Sequence, residues 1–148
     1  MPTGERTIIV NAPPAHVFDV IVDYERYPEF TRDVIAARID QTAGDERVVT
    51  FTTRVVKKLT YTVRLRHDRP HRVEWSLVEA TLLKRNDGHW VLEPLSGQRT
   101  EVSYRCDLAV GTLVPKAVST KMIAVSLPSM LRDFKARAEA TYRRTEEK

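Results

Sequence analysis

The segment RVEWSLVEA, Arg72–Ala80, carries the one carboxylate that a strand of period two would set among apolar side chains. If its odd residues share a face, Glu79 stands with Trp75 and Leu77. A carboxyl held there could give or take a proton as a general acid or base. Glu79 also lies near the strand end, where a bulge would send it to water, and burying it unpaired is costly. A solvated or structural Glu79 is therefore the main expectation, with ligand contact or catalysis as alternatives.

Neutral polar groups recur on other apolar faces. Thr53 is in register with Phe51 and Val55, and Asn86 with Trp90, while Tyr61 and Tyr104 bring hydroxyls into alternating strands. A few such groups inside an apolar hollow orient a small molecule. His16, His67, His71 and His89 form no HExxH motif and show no metal-ligand spacing, so no metal site is expected. His67 and His71 flank a turn and are expected to be solvated. Gly88 reads as a local strand kink. No nucleophile elbow, phosphate loop or dinucleotide glycine pattern occurs, and no cofactor is expected. Cys106, the one cysteine, falls in the apolar register of its strand and reads as a buried thiol, with a catalytic thiol as the alternative.

The chain that must position these groups has 148 residues, 42% hydrophobic and 30% charged, which suits one domain over residues 1–148 with a core of its own. The start, MPTGERTIIVNAPPAHVF, lacks both a basic opening and an apolar run, and no stretch of about 20 apolar residues occurs, so a cytoplasmic location is expected. The net charge of +4 comes from 24 basic and 20 acidic residues without a run of five like charges, which favours a solvated surface.

Periodicity orders the elements. RTIIV (Arg6–Val10) is a first strand. A helix follows from about Pro13 to Val22, with Asn11 a possible N-cap and Val17, Val20 and Ile21 on its apolar side. A second short helix covers ERYPEF. Period-two strands then run over Val34–Gln41, Arg47–Lys58, Leu59–His67, Arg72–Ala80, Leu83–Pro94 and Thr100–Val110, with turns at Gly44 and Gly97. From Pro115 to about Thr145 the pattern is helical. Hairpin-linked strands make an antiparallel sheet whose apolar face needs a cover, and only the last helix is long enough.

The order strand, YERYPEF helices, six strands and a long helix resembles the helix-grip superfamily, which includes START lipid-transfer domains and the pollen-allergen and polyketide cyclase/dehydrase families. VDYERYPEF, GHWVLEPLSGQRTEVSY and LPSMLRDFKARAE resemble the bacterial cyclase/dehydrase branch, which also holds coenzyme Q-binding proteins and a ribosome-associated toxin. The resemblance spans about residues 5–143. It implies an α+β helix-grip fold, a curved antiparallel sheet of about seven strands wrapped around the C-terminal helix.

Such a fold encloses a hollow, expected at roughly 300–1,000 Å³. Its wall would use Phe51, Tyr61, Val63, Trp75, Leu77, Trp90 and Tyr104, with Ile123, Leu127 and Leu131 from the helix and Thr53, Tyr61, Asn86 or Tyr104 as orienting groups. The expected function is binding or carrying a hydrophobic small molecule, a lipid, quinone or polyketide. A polyketide cyclase/dehydratase and a ribosome- or protein-docking module are the alternatives. Tyr24, Tyr27 and Phe30, around the bend at Pro28, either plug the core or line the entrance.

On the last helix Ile123, Leu127, Leu131, Phe134 and Ala138 form one stripe, while Val118, Met122 and Val125 lie opposite. A kink at Pro128 would bury both sets. A straight helix would leave the second as a patch for a membrane, a protein partner or a homodimer. Arg54, Lys57, Lys58, Arg64 and Arg66 would form a basic stripe outside the sheet, without the exposed aromatics that stack on single strands. No DNA partner is expected.

Overall fold

The computed structural model describes residues 3–55 and 57–146, with the side chains of 144–146 left aside. β1 (Thr3–Val10) leads into α1 (Pro14–Ile21), a 3₁₀ turn (Tyr24–Arg26) and α2 (Tyr27–Phe30). Six strands follow: β2 (Val34–Ala43), β3 (Glu46–Arg54), β4 (Lys58–Asp68), β5 (Arg72–Ala80), β6 (Leu83–Leu95) and β7 (Arg99–Val110). α3 (Lys116–Lys121), a π-helical segment (Met122–Ser126) and α4 (Leu127–Glu146) form one continuous C-terminal helix. The sheet order is β1-β7-β6-β5-β4-β3-β2 with antiparallel pairing throughout. This is the α+β helix-grip architecture.

Boundaries differ where local chemistry intervenes. β3 stops at Arg54 rather than Lys58, and Val56, which the expected strand spanned, lies outside the described residues. β1 begins at Thr3, paired with Asp107 of the last strand, and its Gly4 lets the C-terminal helix come close; a Cβ there would sit 2.7 Å from Leu127 Cδ2. Asn11 is not the cap of α1. The N-cap is Pro13, and the Asn11 backbone N–H instead donates to Glu139 Oε2 at 2.8 Å, tying the loop to α4. The glycines at 44 and 97 occupy positive φ, as tight hairpin turns require.

The sheet bends at irregularities in register. One falls between Thr62 and Val63 opposite β5, where Val78 is the extra residue. β5 and β6 pair only from Arg72 to Trp75 against Val91 to Gly88, after which the strands part. Bulges increase twist and curvature, and here they curl the sheet around α4. Phe134 fills the centre of the grip, with ring contacts to Tyr27 at 5.0 Å, Phe30 at 5.1 Å and Trp90 at 5.0 Å.

The C-terminal helix buries only part of the second apolar set. Pro128 has no N–H for the Ala124 carbonyl and its ring crowds that turn. The chain answers with the π segment just before it, a one-residue insertion into the helical pattern. Upstream the inward stripe shifts to Val118 and Ser119, both buried, and half-buried Met122; downstream Leu127, Leu131, Phe134 and Ala138 face the core. Val125 stays 56% exposed. The expected set of Val118, Met122 and Val125 is thus split by the insertion. Among the described residues no helix is long and apolar enough to cross a membrane.

Candidate functional site

Between the concave sheet and the C-terminal helix lie two adjoining chambers of about 110 and 90 Å³. They share a wall of Thr31, Val34, Tyr61, Asn86, Tyr104 and Met130. The first chamber reaches the surface at exposed Arg32, beside Asp33, Asp133 and Met122. The second runs inward to Tyr24, Phe51, Trp75, Trp90 and Phe134. The hollow is smaller than expected because those rings occupy much of the space between sheet and helix.

Four neutral polar side chains converge on this interior. Thr53, 6% exposed, lines the first chamber, and its Oγ1 has no hydrogen-bond partner. Asn86, 7% exposed, accepts the Trp75 Nε1 proton on Oδ1 at 3.0 Å. An indole N–H only donates, which fixes the amide orientation and turns the NH₂ away from Trp75. Among the described residues nothing accepts from that NH₂. Tyr61 and Tyr104 line both chambers, and burial pushes both phenols above their ordinary pKa. Cys106 lines the first chamber, and burial raises its thiol too. Every polar group in the deep wall is therefore uncharged at neutral pH, and charge begins only at the mouth.

The 24–30 segment builds the far end. Tyr27 lies 5.6 Å from the Phe51 ring and donates its hydroxyl to the Ile21 carbonyl. Tyr24 is hydrogen-bonded to His67 Nε2 at 2.8 Å. Both tyrosines plug the core and line the second chamber, whereas Phe30 packs behind them against Arg137 and Phe134. His67 is consequently not solvated as its turn position implied. It is half-buried against Phe18 and Tyr24, and burial lowers its pKa. His71 is exposed.

Of the side chains anticipated for a pocket, Thr53, Phe51, Tyr61, Val63, Trp75, Asn86, Trp90, Tyr104 and Leu127 line the chambers. Three do not. Leu77 packs half-buried at the rim of the core, Leu131 is buried beneath it, and Ile123 lies over Gly4 of β1. The π segment explains Ile123, since it brings Met122 to the first chamber instead. Met130 was missed although it stands seven residues after Ile123, close to the same helical face. Thr31 lies between α2 and β2, outside any periodic stretch, and Val34 is the first residue of β2, where alternation alone does not fix the inward face.

Glu79 is exposed and borders neither chamber. The extra residue Val78 reverses the alternation after Leu77, so the carboxylate leaves the Trp75 face. Gly88 marks a close approach rather than a kink: a Cβ there would lie 2.2 Å from the Arg105 carbonyl oxygen and 2.5 Å from Trp75 Cζ2. The basic stripe is also broken. Arg54 pairs with Lys58 at one end of β3 and β4, and Arg64 and Arg66 lie at the other, about 20 Å away along β4. Threonines fill the interval, with Thr50 and Thr62 hydroxyls 2.7 Å apart. Arg64 is paired with Glu46 at 3.7 Å. Among the described residues no group of three or more His, Cys, Asp or Glu could hold a metal ion.

The chain shares its fold with a START superfamily protein from Mycobacterium smegmatis at 15% identity, covering 94% of this chain and 98% of that one, with a TM-score of 0.83. The Zhui aromatase/cyclase from Streptomyces sp. R1128 is similar at 21% identity over 93% of each chain, also with a TM-score of 0.83. A STAR-related lipid transfer protein from Xanthomonas axonopodis matches at 13% identity over 90% of this chain and 84% of that one, TM-score 0.76. No curated protein matches the sequence. Residues 10–135 match the family described as polyketide cyclase / dehydrase and lipid transport. With most of the chain in that match and the grip and its hollow in place, the protein belongs to the polyketide cyclase / dehydrase and lipid transport family.

Proposed function

We propose that the protein binds a hydrophobic small molecule bearing a neutral oxygen, a carbonyl or hydroxyl of the kind found in quinones and polyketides. The supporting observation is Thr53 Oγ1, a buried, unpartnered polar atom on the wall of an apolar chamber. Leaving such an atom unmatched costs about 1–3 kcal/mol, and a ligand oxygen placed there would satisfy it. The Asn86 NH₂ and the Tyr61 and Tyr104 hydroxyls offer further donors on the shared wall. Burial of apolar ligand surface, at roughly 25 cal/mol per Å², supplies the affinity.

Space for a guest comes from Met130, which stands in the wall between the chambers, and from Met122 at the mouth. Methionine is unbranched and repacks at low cost, so rotating Met130 joins the two spaces. Binding is favoured over turnover because the deep wall holds no carboxylate or histidine. Its tyrosines and cysteine are all held in the protonated form.

The test uses menadione and methylnaphthalene, which share a two-ring frame and differ in the carbonyls. Trp75 and Trp90 line the second chamber and report occupancy by fluorescence. Menadione is expected to bind roughly two- to tenfold more tightly, the worth of a neutral hydrogen bond, and Thr53→Val should shrink that preference. Failure of both compounds to perturb either indole, or equal binding that Thr53→Val leaves unchanged, would overturn the reading.

A further inference from the structure

The chamber mouth has a rim whose outer face takes no part in holding a guest. Three segments meet there: the 31–33 loop through Arg32 and Asp33, the β3–β4 connection through Val55, and the π segment through Met122 and Ser126. α3 sits against the same end, its Val118 and the preceding Val114 packed with Leu59 and Leu83 and against Met122. Two large apolar side chains project from this cover into solvent, Leu113 at 86% and Val125 at 56% exposed. The π insertion leaves Ala124 and Val125 outward, while Leu127 is buried. Lys121 lies one helical turn before Val125, and both are exposed.

Cations stand on the same end. Arg32, Arg54, Lys57, Lys58, Lys116 and Lys121 are all exposed on the segments that form this end. Among the described residues none of the six is ion-paired, whereas Arg26, Arg69, Arg105 and Arg137 elsewhere are. Of the carboxylates, Asp33 shares the 31–33 loop, Asp133 stands on α4 at the mouth and is engaged by the Arg32 backbone N–H, and Glu79 stands near the end of β5. The excess is positive, and the same end carries Leu113, the most exposed large apolar residue among those described.

We propose that this end docks on an anionic phospholipid bilayer, with Leu113 and Val125 entering the interface and the lysines lying over the headgroups. Exposed apolar side chains on a surface with an excess of lysine and arginine suit the boundary between acyl chains and anionic headgroups. A nucleic acid would use the cations but give Leu113 and Val125 nothing to enter. A second copy of this chain would bring the same positive surface against itself. The proposal concerns the outer surface and does not depend on what occupies the chambers.

The experiment is co-sedimentation of the full chain with vesicles of phosphatidylcholine alone, or of phosphatidylcholine and phosphatidylglycerol in equal parts. Binding is expected only to the anionic vesicles, and to weaken on raising salt. Lys116→Glu with Lys121→Glu should lower the bound fraction about tenfold or more, since each lysine contributes near the surface. Leu113→Ser with Val125→Ser should lower it several-fold at unchanged charge. All four positions are exposed, so thermal melts should match the parent. Three results would each overturn the proposal: no binding to anionic vesicles; binding that the serine pair leaves intact, which poly(U) competes away; or a dimer in solution that the serine pair dissociates.

Discussion

Trp75 Nε1 donates to Asn86 Oδ1 at 3.0 Å, joining β5 to β6 just where their backbone pairing has stopped. Beyond Trp75 the two strands separate, and the Leu77 N–H turns to the Asp87 carboxylate at 3.3 Å instead of a strand partner. The side-chain bond therefore holds the chamber wall together across a gap in the sheet. It also aims the Asn86 amide.

Asn86→Ala should cost about 1–3 kcal/mol of stability, because it strands a part-buried indole N–H. Chemical denaturation monitored by tryptophan emission measures it. Trp75→Phe alone should cost comparably, and the double variant less than the sum of the two. Strict additivity would show that the bond does not couple the strands.

Gly88→Ala should be at least as damaging, although it adds only one carbon. The new Cβ meets the Arg105 carbonyl at 2.2 Å, and a backbone oxygen cannot swing aside as a flexible side chain could. A loss at or above the upper end of the usual 1–3 kcal/mol for overpacking is expected. Altered near-ultraviolet dichroism should accompany it as Trp75 is pushed off the sheet. A variant with parental melting and spectrum would contradict the packing described.

Thr53→Val is expected to stabilise the unliganded protein, by up to about 1 kcal/mol, since it removes an unmatched buried oxygen without changing the side-chain outline. A thermal melt without ligand decides it. A clear fall in melting temperature would mean that the hydroxyl is already satisfied in the free protein.

Acid should destabilise the fold before its carboxylates titrate. His67 has its pKa lowered from 6.5 by burial first, with Arg47 and Arg69 acting the same way and Asp45 against. His89 is lowered likewise by burial, then by Arg72 and Arg105. Between its native pKa and 6.5 each histidine binds more proton unfolded than folded. Stability is therefore complete above about pH 6.5, falls as pH drops through that window, and levels below the native pKa. Asp40, Asp107 and Glu139 have lowered pKa values and act in a lower window, below about pH 4.5. His67→Gln with His89→Gln should flatten the upper slope in a series of melts while leaving the lower one. An unchanged upper slope would assign it to other groups.

Much of the fold was legible because it follows from local periodicity. The alternation through Val102, Tyr104, Cys106 and Leu108, the hairpin glycines and the long helical tail required a seven-stranded antiparallel sheet with a helical cover. That pattern also placed nine of the twelve expected lining residues, since residues on an inward strand face approach a central hollow wherever the register is regular. What it could not locate were the insertions. A bulge or π turn adds one residue without changing composition, yet it reverses or rotates every side chain beyond it.

The sequence by itself determined the order of elements and the apolar face of each strand wherever the register is regular. Only the tertiary structure decided that Glu79 faces solvent, that Met122 replaces Ile123 at the chamber, that His67 is held by Tyr24, and that Thr53 lacks a partner. The physical reason is shared. Each outcome depends on where a side chain lies relative to residues distant in the chain, and a one-residue register shift or a close backbone approach sets that position.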